Sequence, residues 1–159
     1  MKLIKQSFAI HPQENGLEGI YKQIEWAGRH CYKSLDKITE DSAKGFVDRM
    51  IKSKHYAMLE HGTVYLERDV NYSDADYNTF ETLYEKNPYS KVTFDGGLCY
   101  VTTNFRVIVE NGWMYDLQYL CEPTEYHEKR ITVKFVTDQG ILREFTRHRV
   151  FSFAVESTR

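Results

Sequence analysis

Three cysteines, an odd number with no Cys-x-x-Cys spacing, are all that this chain carries. Cys31, Cys99 and Cys121 are too widely spaced for a structural zinc site and cannot form a disulfide framework, which suits a reducing cytoplasm. No charge of one sign dominates: 21 basic against 23 acidic residues leave a formal net charge of −2. A polyanion or an anionic membrane normally calls for a basic surplus, so neither nucleic acid nor membrane is an expected partner, and any anion site must be local. No apolar run is long enough for a signal-peptide core or a membrane span. Fixed-period repeats, low-complexity tracts and Gly/Ser linkers are missing too. With 159 residues, the chain is the length of one domain that can bury a sizeable core.

What is present is hydrophobic periodicity of two kinds. The start, Met1 to Phe8, alternates apolar and polar residues and reads as a first strand. Leu17, Ile20, Ile24, Ala27 and Cys31 recur every three or four positions, which predicts a helix of roughly four turns. Thr39 or Asp41 can cap a second helix with Ala43, Phe46, Val47, Met50 and Ile51 as its stripe, ending near Lys54. Gly62 to Val70 alternates as a half-buried strand would, with Val64 and Leu66 on one face and Thr63, Tyr65 and Glu67 on the other. Asp69 to Glu85 holds five acidic residues and no basic one, and reads as a solvated insertion with a short helix around Phe80, Leu83 and Tyr84.

Asp95-Gly96-Gly97 between Val92–Phe94 and Leu98–Thr102 is a hairpin signal, because its glycines permit positive φ. Asn104 can cap a helix through Val109. Ile131 to Val136 reads as a strand, and Asp138 as the cap of a helix bearing Ile141, Leu142 and Phe145. Strands and helices do not alternate regularly enough for a doubly wound parallel sheet, so the expected class is α+β: a single domain with an antiparallel or mixed sheet packed with helices.

Local chemistry concentrates at the C-terminal end. Between Arg143 and Arg159 lie four arginines and His148 against Glu144 and Glu156. Guanidinium groups suit phosphates because their planar fork makes bidentate charge-assisted bonds, and a neighbouring imidazole can donate to a ring or stack on it. The same cluster also suits a solvated basic helix end facing the negative pole of its dipole. His55, Glu60 and His61 are close enough in sequence to ligate a metal, although their spacing is not that of a His-Glu-x-x-His helix; equally, Glu60 can satisfy backbone donors while the histidines pack. Cys31, on an apolar helix face, reads as a core thiol. Ser157 has no hydrolase elbow around it.

The run Arg147-His148-Arg149, seven residues, Ser157, and Arg159 two further on resembles the signature of flavin-dependent thymidylate synthases. Arg143-Glu144-Phe145 before it is also similar to that family. Upstream and in the same order, Ala27-Gly-Arg-His-Cys31-Tyr resembles the family's helix end Ala-Ala-Arg-x-(Ser/Cys), and His55-Tyr-Ala-Met-Leu-Glu60-His61 resembles its loop His-x-(Ser/Thr)-x-x-Glu-His. Thr102-Thr-Asn104-Phe-Arg106 resembles an Asn-x-Arg helix start. Together these segments span Ala27 to Arg159.

The resemblance implies reductive methylation of dUMP to dTMP, with FAD as cofactor, NADPH and methylenetetrahydrofolate as co-substrates, no metal, and a homotetramer whose sites are shared between subunits. It implies that Arg147, His148 and Arg149 contact FAD, with Arg147 also facing dUMP. His55, Ala57, Glu60, Cys31 and Val155 fall at or near flavin positions, and Glu144, Glu156, Ser157 and Arg159 at the nucleotide. Two positions depart from the family pattern. Its Asn-Glu pair is Ala154-Val155 here, with a glutamate one residue on at Glu156, and its loop Ser/Thr is Ala57. The family's tail, which brings further flavin contacts and an arginine important for dUMP activation, would lie beyond Arg159, so no catalytic residue is assigned within this chain. Two rival classes follow from the residues alone: a non-catalytic nucleotide or phosphate-binding module, and a metal-dependent hydrolase built on His55, Glu60, His61 and His148.

Overall fold

A computed structural model describes residues 5–70, 80–148 and 150–156 of the chain. It has the expected α+β class, with two small antiparallel sheets packed with helices. Strand β1 (Ser7–His11) leads into α1 (Gly16–Cys31), and α2 (Ser42–Lys52) packs against α1. The stripe read from the sequence is the buried one: Ile20, Ile24 and Ala27 of α1 meet Phe46 and Val47 of α2. The two helices approach so closely at Gly28 that a Cβ there would collide with the Phe46 ring. Asp41 sits at the N-cap of α2 without a capping hydrogen bond from its side chain. Ser42 instead closes the turn, its Oγ accepting from the Thr39 amide at 2.9 Å while its hydroxyl donates to the Glu25 carboxylate at 2.7 Å.

After a 3-10 turn, Tyr56–His61, strand β2 (Thr63–Asp69) enters a three-stranded sheet in the order β2-β4-β3, where β3 is Lys91–Asp95 and β4 is Leu98–Asn104. The β3–β4 hairpin has the expected two-glycine loop: Asp95 pairs with Leu98, and Gly96 and Gly97 take φ of +56° and +84°. That conformation matches the right-handed twist of the strands and excludes most side chains. Helix α4 (Phe105–Glu110) follows, capped as expected by Asn104, whose Oδ1 accepts from the Val107 amide at 3.1 Å. One sheet face, carrying Val64, Leu66 and Val101, packs with Ile20, Ile24, Phe105 and Ile108 to form the core.

Three sequence expectations need correction. Strand β2 is not half-buried: Thr63, Val64, Tyr65 and Leu66 are all buried. The segment 120–130 covers the second face, setting His127 edge-on to Tyr65 and stacking Tyr126 on Tyr100. The helix α3 (Phe80–Lys86) in the acidic stretch is not solvated, since Phe80 and Tyr84 are buried in the core and Tyr84 donates to Asp116 at 3.0 Å. The apolar residues there outweigh the charge that suggested a solvated element, and residues 71–79 of that stretch lie outside the described residues. Finally, of the expected first strand Lys5 and Gln6 lie outside β1, which runs Ser7–His11, and Met1–Ile4 lie outside the described residues.

Strand β1 pairs with β5 (Thr132–Val136) as a separate two-stranded ribbon, with Phe8 opposite Phe135 and Ile10 opposite Val133. Helix α5 (Gln139–Phe145) is capped by Asp138, whose Oδ1 accepts from Gly140 and Ile141. It lays Phe145 on Phe135 at 5.0 Å, but none of its residues is buried. Its apolar stripe therefore does not reach the core of this chain. Among the described residues, no helix is long and apolar enough to cross a membrane.

Candidate functional site

Sequence-distant residues meet along a seam made by the last described stretch of chain. Residues 152–156 run past the 3-10 turn Tyr56–His61 and then past the C-terminal end of α1. Ser152 Oγ donates to Glu60 Oε2 at 2.8 Å. Phe153 makes a backbone hydrogen bond with His61, and Val155 makes one with the Cys31 thiol. Glu156 reaches Lys33 at 3.4 Å, an exposed pair that contributes little. Cys31, Glu60, His61, Val155 and Glu156, drawn from three separate sequence segments, thus share one seam.

Glu60 is its organising residue. Its Oε1 accepts from Arg106 Nη1 at 2.5 Å, and Arg106 is also tied to Glu110 at 2.9 Å through Nε. The two carboxylates hold the Arg106 pKa above its ordinary value through hydrogen bonds, Glu110 first and Glu60 second. The Glu60 backbone is held as well: Arg130 Nη2 donates to its carbonyl at 3.2 Å, and Arg130 Nη1 to the Thr103 carbonyl at 3.3 Å. Arg130 thereby bolts the turn to β4. Both Glu60 oxygens are taken up by Arg106 and Ser152, so its carboxylate here serves to fix the turn.

Sequence reasoning placed Arg106 only within a short resemblance and missed Arg130 altogether. The signal for Arg106 was its place in the first turn of a capped helix. Arg130, in the charged run Glu128-Lys129-Arg130, carries no local signal of its role.

His61 differs from its neighbours. Its Nε2 is buried and has no hydrogen-bond partner among the described residues. Burial, and then Arg130, pull the imidazole below the ordinary histidine value, while Glu60 and the Phe153 backbone act in the opposite direction. A buried polar atom without a partner is uncommon and points to a missing acceptor or donor.

None of the three thiols is prepared for nucleophilic attack. Burial pushes Cys99 up to about 12 and Cys121 up to about 11, and raises Cys31 despite the Val155 backbone. A thiolate nucleophile requires the reverse shift.

The remaining candidate residues are more open. His55 and Ala57 are exposed at the start of the 3-10 turn. Among the described residues Arg147 is paired with Glu144 alone, at 3.0 Å, with 74% and 66% of the two side chains exposed. His148 is exposed and lies edge-on to Phe151 with ring centres 6.1 Å apart. Helix α5 ends at Phe145, with Arg143 in its last turn and Arg147 and His148 just beyond it. Arg149, Ser157 and Arg159 lie outside the described residues.

Among the described residues no group of three His, Cys, Asp or Glu side chains converges to hold a metal ion. His55 and His148 are exposed while His61 is turned into the seam, so the four residues of the hydrolase reading are not assembled as a ligand set. The chain matches no family profile, no curated protein and no solved structure.

Proposed function

We propose that this chain binds FAD and dUMP and belongs to a flavin-dependent thymidylate synthase, methylating dUMP to dTMP with methylenetetrahydrofolate and NADPH. The observation that supports the reading is the seam: Ser152, Phe153 and Val155, between the two ends of the C-terminal motif, touch Glu60, His61 and Cys31 of the two upstream segments that carry the resemblance. The residues fit such a ligand in two respects. The buried Nε2 of His61 lacks a partner among the described residues, and Arg147 and His148 are exposed with little structural work to perform.

FAD bound there would supply the hydride chemistry, and the protein would supply binding, orientation and electrostatics. The raised thiol pKa values support this division, because the chain offers no activated cysteine for covalent attack on a pyrimidine. Arg147 is free to turn its fork from Glu144 to a phosphate or to pyrimidine carbonyl oxygens, where a fixed cation stabilises negative charge that develops on the ring. Glu60, locked by Arg106, Arg130 and Ser152, holds the turn in place rather than contacting a ligand through its carboxylate. Shared sites in a homotetramer, and the cytoplasm as its location, accompany this reading.

The test is binding by the full chain. FAD and dUMP should each bind, and Arg147→Ala should weaken both. Retention of both affinities in that variant refutes the shared role of Arg147, and no binding of either ligand by the unsubstituted chain refutes the reading.

A second reading, a nucleotide-binding module without chemistry, is favoured by the exposure of Arg147 and His148. It predicts binding of phosphate-bearing ligands that weakens steeply with salt and does not depend on flavin.

A further inference from the structure

A cavity of about 250 Å³ lies between the β1–α1 connection and the segment 120–132, lined in part by Arg130, which also holds the Glu60 carbonyl. Ile10, Ile20 and Leu120 give it an apolar wall, and Arg130 and Lys129 bring two cations to it. Its other polar residues are largely committed. Gln13 spends both ends of its amide on the Thr63 backbone, at 2.8 Å each, and the Glu14 carboxylate is held by Lys22 at 3.0 Å.

Arg130 is the anomaly. Its guanidinium is half-buried, has no carboxylate within ion-pair distance among the described residues, and donates only to two carbonyls. A guanidinium carries further N–H groups, and Glu60 and Glu128 act on this one only from beyond ion-pair distance, so that burial outweighs them. We infer that this cavity binds the oxyanion group of a small molecule, a carboxylate or a phosphoryl group, with Arg130 and Lys129 as its cationic side and the apolar wall receiving the rest of the ligand. The site is separate from the Arg147 cluster, and the inference does not depend on flavin binding.

The cavity has a built-in reporter. His11 lines it and is stacked on Trp26, with ring centres 3.7 Å apart and planes within 4°. An anion entering beside His11 favours the imidazolium, and imidazolium and imidazole perturb a stacked indole differently.

Inorganic phosphate and succinate are the probes, titrated into the full chain at ionic strength held constant with chloride. Trp26 emission and the amide resonances of Ile131 and Thr132 are followed. A saturable change is expected at both readouts, roughly tenfold weaker in Arg130→Met, as the loss of one charge-assisted hydrogen bond requires. Lys129 is exposed, so Lys129→Glu keeps the fold and should weaken binding several-fold even where Arg130→Met does not fold. A stronger response to phosphate identifies a phosphoryl ligand, and a stronger response to succinate a carboxylate. The inference is overturned by a non-saturable response, by unchanged affinity in Lys129→Glu, or by shifts confined to Arg143 and Arg147.

Discussion

Replacing Glu60 by alanine tests how the candidate site is held together. The substitution removes the acceptor for Arg106 Nη1 and for Ser152 Oγ, leaving Arg106 with Glu110 and the 152–156 segment with its backbone contacts to His61 and Cys31. Hydrogen bonds to a charged group contribute about 1.5–3 kcal/mol when buried. Here the Glu60 and Arg106 side chains are 28% and 37% exposed, so solvent screening reduces each to about 1 kcal/mol. The expected loss for Glu60→Ala is about 2 kcal/mol, or about 4–8 °C in Tm for a domain of this size. Ser152→Ala should lose about 1 kcal/mol. Because the two residues share one hydrogen bond, the double variant should be less destabilised than the sum by about 1 kcal/mol. Urea unfolding of the four proteins measures this cycle, and limited proteolysis of the C-terminal segment gives an independent readout. A coupling energy indistinguishable from zero would refute the claim that Glu60 anchors the segment.

Other perturbations follow from the packing. Gly28→Ala should destabilise by about 1–3 kcal/mol, because the added Cβ meets the buried Phe46 ring, and urea midpoints measure it. Glu25 is 1% exposed and accepts from Arg29 and Ser42, so Glu25→Ala, which strands the Arg29 guanidinium, should lose about 3–5 kcal/mol in the same measurement. Burial lowers the pKa of both His61 and His127 from the ordinary 6.5. Their neutral forms belong to the folded state, so their contribution is complete above about pH 6.5 and is lost as pH falls toward the lowered values. Denaturation at pH 7.5 and 5.5 should show the decline, and His127→Gln should flatten it; an unchanged slope would contradict the assignment.

His127 illustrates why the sequence conceals such groups. Its Nε2 faces the Leu66 carbonyl at 3.1 Å, which can only accept, and its Nδ1 faces the Thr124 amide at 3.1 Å, which can only donate. The neighbours therefore fix one neutral tautomer, yet nothing in the run Thr124 to His127 announces that it will cover β2. The same holds for Arg130, whose partners Glu60 and Thr103 lie far away in sequence. By contrast, α1, the Gly96-Gly97 hairpin and the caps Asn104 and Asp138 were legible, because each depends on residues within a few positions. Glu60 stood out in the sequence beside two histidines, but its internal commitment to Arg106 and Ser152 was not legible there. The exposed apolar stripe of α5 shows a limit of another kind: periodicity marks the face to be covered without saying what covers it.

The most direct test of the central claim is the visible absorption spectrum of the full chain mixed with FAD, recorded before and after dUMP is added. A protein-bound flavin band that shifts on adding dUMP, saturably and not in Arg147→Ala, is the predicted result. A flavin spectrum identical to that of free FAD at every dUMP concentration would contradict it.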